Sequence, residues 1–161
     1  YTEENTLSLH DALPICCAPF AALTTAELYR ILRLRQEVFV VEQTCPYLDA
    51  DGRDADASHL WTDAADGARA LACARLFAPG VRYAEACIGR VATAAEARRT
   101  GLGRALMREA IARLTAAHGA VPIRIGAQRY LERFYGELGF VTASPEYDED
   151  GIPHVEMIRP G

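Results

Sequence analysis

The sequence predicts one mixed α/β domain in which helices cover the faces of a mixed sheet. Three observations lead there. The chain has 161 residues, half of them hydrophobic, which suits a single domain with one core. Its periodic segments run helix, three strands, helix, strand, helix, two strands. The breaks between them carry Gly, Pro and Asp, and no repeat or low-complexity tract interrupts the order.

Residues 1–17 stand apart. Tyr1 to Cys16 lacks a basic region followed by an apolar one, so it is no secretory signal, and it fits neither helical nor strand period. Ser8 to Ile15 (SLHDALPI) resembles translated sequencing-adapter read-through. Residues 1–17 are therefore expected to be non-native or disordered, with the domain spanning 18–161. His10 and Asp11 then carry no chemistry.

From Phe20 the chain is orderly. Thr24-Thr25-Ala26-Glu27 reads as a capping box, a hydroxyl and a carboxylate satisfying free amides of a first turn. Behind it Leu28, Ile31, Leu32, Val38 and Phe39 share a helical face. Arg35 falls on that stripe. Either its stem packs while the guanidinium reaches water, or it presents a cation to a cleft. Cys45 to Asp56 (CPYLDADGRDAD) reads as a solvated acidic loop. Gly52 follows Asp51 directly, which is not the spacing of a calcium loop, and no metal is expected.

Two strands, Ser58–Thr62 and Ala70–Phe77, flank a reversal at Asp66-Gly67. A third, Ala86–Thr93, follows the Pro79-Gly80 break. Gly101 to Ala117 is a long helix with Leu102, Leu106, Ala110 and Leu114 on one face, closed by His118-Gly119. Val121 to Ala127 is a strand with Pro122 near its start. A helix over Gln128–Leu138 ends at Gly139. Strands near Phe140–Ala143 and His154–Ile158 then flank a turn at Asp150-Gly151.

Composition excludes several classes. The net charge of −5 and pI near 5.4 leave no basic footprint for nucleic acid. No window approaches the roughly 18 unbroken apolar residues of a membrane span. Five cysteines, with no C-x-x-C pair, read as free thiols in a reducing cytosol. The expectation is a cytoplasmic protein with no membrane partner.

The informative segment is Ile88 to Met107, where a strand enters the loop Arg98-Arg99-Thr100-Gly101-Leu102-Gly103-Arg104 and the loop opens into a helix. The first amides of a helix have no internal partner and sit at the positive end of its dipole. Glycines let an anion approach the backbone, and arginines add countercharge. A Walker loop needs four residues between glycines and then Gly-Lys-Ser/Thr, which is absent. A dinucleotide fingerprint needs a glycine where Leu106 stands. Taken alone, the G-x-G also fits a plain tight turn.

R-x-x-G-x-G after a strand, together with Phe134-Tyr135-Gly136-Glu137-Leu138-Gly139-Phe140 (F-Y-x-x-x-G-F), resembles the GNAT acetyltransferase superfamily. Leu34 to Gln43 (LRQEVFVVEQ), Ala127-Gln128, Asp150 to His154 (DGIPH) and Met157 resemble its ElaA-like subfamily, over about Phe20 to Met157. The resemblance implies the GNAT fold, a central, mixed, mostly antiparallel twisted sheet of six to seven strands with helices on both faces. It also implies acetyl-CoA as co-substrate. Val91, Ala92 and Thr93 would pair with its pantetheine arm, and the loop Arg98, Arg99, Thr100, Gly101, Leu102, Gly103 and Arg104 would hold its pyrophosphate. Gln128 would lie against the coenzyme, and Tyr135 would protonate the leaving thiolate.

The reaction implied is acetyl transfer to a primary amine of a small molecule or peptide by a monomer or homodimer. It needs a neutral amine, a polarised carbonyl and help for the departing sulfur. A strand amide near Val91 is the candidate electrophile. For the base, Glu42 ranks first, His154 second and His59 third. Two other readings stay open. Arg35, Val38-Phe39, Glu42 and Asp49/Asp51/Asp54 faintly resemble acyl-homoserine lactone synthases, and a CoA-binding module without catalysis would keep the same loop.

Overall fold

A computed structural model describes residues 13–161. Residues 1–12 of the segment expected to be non-native, His10 and Asp11 included, lie outside the described residues. Cys16 and Cys17 begin the first strand. The elements are β1 (Cys16–Pro19), α1 (Thr25–Arg35), β2 (Ser58–Asp63), β3 (Ala70–Phe77), β4 (Ala86–Thr93), α2 (Leu102–His118), β5 (Ile123–Gln128), α3 (Glu132–Gly136), β6 (Val141–Thr142), β7 (Tyr147–Glu149) and β8 (Ile152–Arg159). They form one eight-stranded sheet of order β1-β2-β3-β4-β5-β8-β6, with β7 also on β8. The resemblance implied six to seven strands; the two not read along the chain are β1 and β7.

Every strand pair is antiparallel except β4 with β5. A parallel pair needs a crossover, and α2 supplies it. Leu102, Leu106, Met107, Ala110 and Leu114 of α2 bury against Ile88, Ile123, Ile125, Val155 and Met157 on one face. Each fully buried Leu or Ile contributes roughly 1.5–3 kcal/mol. On the other face Ile31, Leu34 and Val38 pack on Trp61, Cys73 and Ala92. The helices thus lie on both faces, as expected. No helix among the described residues is long and apolar enough to cross a membrane.

The Thr24–Glu27 capping box is present, with Glu27 N donating to Thr24 Oγ1 (3.1 Å) and Thr24 N to Glu27 Oε2 (2.8 Å). Beyond Arg35 the helix widens into a π-helix over Gln36–Glu42, so the single α-helical stripe through Phe39 does not hold. The buried set is Ile31, Leu34 and Val38. After Val38 the wider turn lets Phe39, Glu42 and Gln43 all reach one cleft. The expected helix over 128–138 is also shorter. β5 runs on through Gln128, a 3-10 turn covers Arg129–Leu131, and α3 holds five residues.

The acidic loop departs from expectation in part. Most of it is exposed, but its Asp49 and Asp54 are buried, because three guanidiniums meet them. Arg35, only 1% exposed, binds Asp49 (2.8 Å) and Asp54 (2.7 Å). Arg75, also 1% exposed, binds Asp51 (2.8 Å) and Asp54 (3.0 Å), and Arg90 binds Asp49 (2.8 Å). Arg35 therefore neither reaches water nor faces a cleft. Its stem and charge are both spent on folding the loop against β3 and β4. Charges balance, as a buried ionic cluster requires.

Candidate active site

β4 and β5 pair only at Ala86↔Ile123 and Cys87↔Arg124 and then diverge. On its other side, β4 skips register: Gly89 faces Arg75 and Ala92 faces Cys73, which leaves Arg90 and Val91 as a bulge. Arg90 adopts φ 49°, a left-handed conformation held by the grip of its guanidinium on Asp49. Beyond Cys87, then, one side of β4 has no neighbour, and Val91 has no register partner on either strand. The gap opens into a cleft of about 1010 Å³.

α2 starts at one end of this cleft. Arg99 (φ 60°) and Gly101 (φ 86°) turn the chain through left-handed geometry into the helix. Gly101 suits that conformation; an arginine there is strained. The amides of Arg99, Thr100, Gly101, Gly103 and Arg104 make no hydrogen bond among the described residues, and Leu102 N has only a 3.4 Å contact to Thr100 Oγ1. Gly103 has a packing reason: a Cβ there would lie 3.3 Å from Thr93 Oγ1. Its absence seats the head of α2 against the end of β4.

The loop arginines are less free than the sequence suggests. Arg98 donates to Thr93 O (3.1 Å) and clasps both oxygens of Glu42, one at 2.8 Å. Arg104 binds Glu137 (2.5 Å) and lies over the Phe134 ring. Among the described residues only Arg99 of the three makes no ion pair. Anion affinity here rests chiefly on amides and dipole. Thr100 turns its hydroxyl back to Ala97 O, and the Leu102 side chain is buried in the core, so these two offer backbone only.

Tyr135 lines the cleft at 7% exposure, edge-on to Phe134 and Phe140. Its hydroxyl has no partner among the described residues. Burial pushes its ionisation well above the ordinary tyrosine range, with Tyr130 adding a smaller push. Such a phenol stays protonated and suits proton donation.

The base candidates separate. The Arg98 hydrogen bonds hold the Glu42 carboxyl below the usual range, which weakens it as a base. His59 is 1% exposed on β2, with Nε2 2.9 Å from Asp54 O, and lies outside the cleft lining. His154 lines the cleft on β8, opposite Gln128 on β5. Its Nδ1 donates to Ile152 O (2.7 Å), and its Nε2 lies 3.4 Å from Glu149 Oε2. The Tyr147 ring stacks on the imidazole.

Thus Glu42, Val91, Ala92, Thr93, Arg98, Arg99, Gly101, Gly103, Arg104, Gln128, Tyr135 and His154 share one cleft. Sequence reasoning missed the Arg90 bulge, Tyr47, Tyr147 and Glu156. A period-2 reading of β8 places Glu156 on the His154 face, so that residue was within reach.

Residues 73–159 match the family model described as an acetyltransferase (GNAT) domain. A UPF0039 protein of Synechocystis is 40% identical over 139 residues, 86% of this chain and 90% of that one. The crystal structure of an acyl-CoA N-acyltransferase from Pseudomonas aeruginosa superposes with TM-score 0.87 and 41% identity, covering 92% of this chain and 99% of that one. That of Escherichia coli ElaA gives TM-score 0.85 and 34% identity over 91% and 99%.

Proposed function

Because the chain belongs to the GNAT acetyltransferase family, in its ElaA-like branch, we propose that it moves an acetyl group from acetyl-CoA to a primary amine by direct attack on the thioester. The observation that carries this reading is a convergence. Unpaired amides at the head of α2, the open side of β4 and the partnerless Tyr135 hydroxyl all meet in one cleft.

The amides of Arg99 to Arg104 bind the diphosphate, and the free side of β4 at Val91 to Thr93 takes the amide-bearing arm as an added strand. Gln128 flanks that arm. His154 Nε2 takes a proton from the acceptor ammonium, and exposed Glu149 behind it passes the charge towards solvent. The neutral amine attacks the thioester carbon while the Val91 amide polarises its oxygen. The C–S bond breaks, Tyr135 protonates the departing thiolate, and the extra proton of the new amide returns by way of solvent to restore the Tyr135 hydroxyl. Glu42 keeps a structural part, tying the π-helix to the loop through Arg98.

A free-thiol release assay with an amine panel, paired with thermal denaturation, tests this. Saturating acetyl-CoA should raise the melting temperature, and thiol should appear only when amine is present. No thermal shift would overturn the donor assignment. Binding without transfer to any amine would leave a coenzyme-binding module.

A further inference from the structure

Along β8, His154 and Glu156 point to the same side of the sheet and both line the cleft, opposite Gln128 and Gly126 of β5. They are two residue steps apart along the strand, about 7 Å. Glu156 is half-buried, yet no cation approaches within ion-pair distance among the described residues. Arg124, on the same face of β5, is taken by Glu85 (3.0 Å) and lies over the Tyr83 ring. Arg82 lies over the rings of Phe77 and Tyr83. Of the other carboxylates around the cleft, Glu42 is clasped by Arg98, Glu149 lies beside His154, and Asp150 sits in the exposed turn before β8.

The Glu156 carboxylate accepts one long hydrogen bond, from Tyr147 (3.3 Å), at Oε1. Its Oε2 lies 4.0 Å from where a Cβ on Gly126 would stand, and that Cβ would crowd Tyr147 Oη at 3.3 Å. The bare Gly126 backbone keeps this floor open. Glu156 feels Arg124 only across a distance, the two making no ion pair, so a cationic ligand can still add a charge-assisted hydrogen bond. We propose that Glu156 binds a second ammonium of a small diamine acceptor, about one register step from the amine that is acetylated beside His154. The inference rests on the acetyl-transfer reading for its orientation. It adds the substrate class: acceptors carrying two positive charges about 7 Å apart.

Calorimetric binding of 1,4-diaminobutane and of butylamine at neutral pH tests it without requiring turnover. Wild type should bind the diamine at least about tenfold tighter, the value of one charge-assisted hydrogen bond. Glu156→Gln, which can still accept from Tyr147, should erase that preference while leaving acetyl-CoA affinity unchanged. Equal binding of the two amines by wild type, or a preference surviving in Glu156→Gln, overturns the proposal. Should Glu156→Gln fail to fold, Glu156→Asp retracts the charge by one methylene. The preference should then move towards 1,5-diaminopentane, and an unmoved preference counts against the spacing. Absence of thiol release with every amine would sink the transfer reading alone, since the binding result still decides Glu156.

Discussion

The α2 end of the cleft is built of main chain: the amides of Arg99 to Arg104 and the free side of β4. The β8 end is built of side chains: His154, Glu156 and the Tyr147 ring. The first surface is indifferent to most substitutions, because any residue supplies an N–H. The second is rewritten by each one. A shared donor and a variable acceptor call for this division of material, and it tells where mutation should and should not be felt.

Tyr135 stands between the two ends and offers the largest effect. Tyr135→Phe should slow turnover about 10²–10⁴-fold with acetyl-CoA affinity intact. Since burial raises this hydroxyl's ionisation, wild-type turnover should not decline through the ordinary tyrosine range near pH 10. Unchanged turnover in the variant would remove the phenol from the chemistry.

The wall beside the acceptor end hangs on Arg35. Arg35→Met leaves three carboxylates facing two guanidiniums, Arg75 and Arg90, and should cost about 3–5 kcal/mol in chemical denaturation. The acid limb sharpens this. Arg75 holds the Asp51 carboxyl below the usual range. Asp54 is pushed up by burial but more strongly down by Arg35 and Arg75. Carboxyls depressed on folding stabilise fully above their unfolded value near 3.9, and the stabilisation is lost as pH falls through the folded values. Wild-type stability should therefore drop below about pH 4, and Arg35→Met should show a shallower drop. A steeper one would mean the network is not the titrating element.

Gly103→Val brings a branched side chain onto Thr93 and should add about 1–3 kcal/mol of strain. Coenzyme binding should weaken about ten- to a hundredfold while the acceptor KM stays put. A change in acceptor KM instead would erase the contrast between the ends. The smallest effect is expected from Glu42→Gln. It breaks an exposed pair worth at most about 1 kcal/mol, so turnover should stay within about fivefold. A hundredfold loss would restore Glu42 as the base.

The contrast also explains what was legible beforehand. The Gly101 turn, the Thr24 cap and the Leu102–Leu114 stripe are local, so residue type and spacing reveal them. The burial of Asp49 and Asp54 within the acidic loop was not legible because it depends on Arg35, Arg75 and Arg90 from three separate elements. The commitment of Arg98 to Glu42, 56 positions away, is equally invisible along the chain. Strand β1 lay hidden because its partner β2 lies some forty residues later, at Cys16↔Trp61. The Arg90 bulge has no signature of its own; φ 49° at an arginine is imposed by Asp49 and Asp51.

The two-rung contact of β4 with β5 leaves a seam of raw main chain in the middle of the molecule. Elsewhere such a seam invites another polypeptide and starts aggregation. Here the seam lies at the floor of a cleft lined by Gln43, Tyr47, Tyr130 and Phe134, so what reaches it must first enter between side chains.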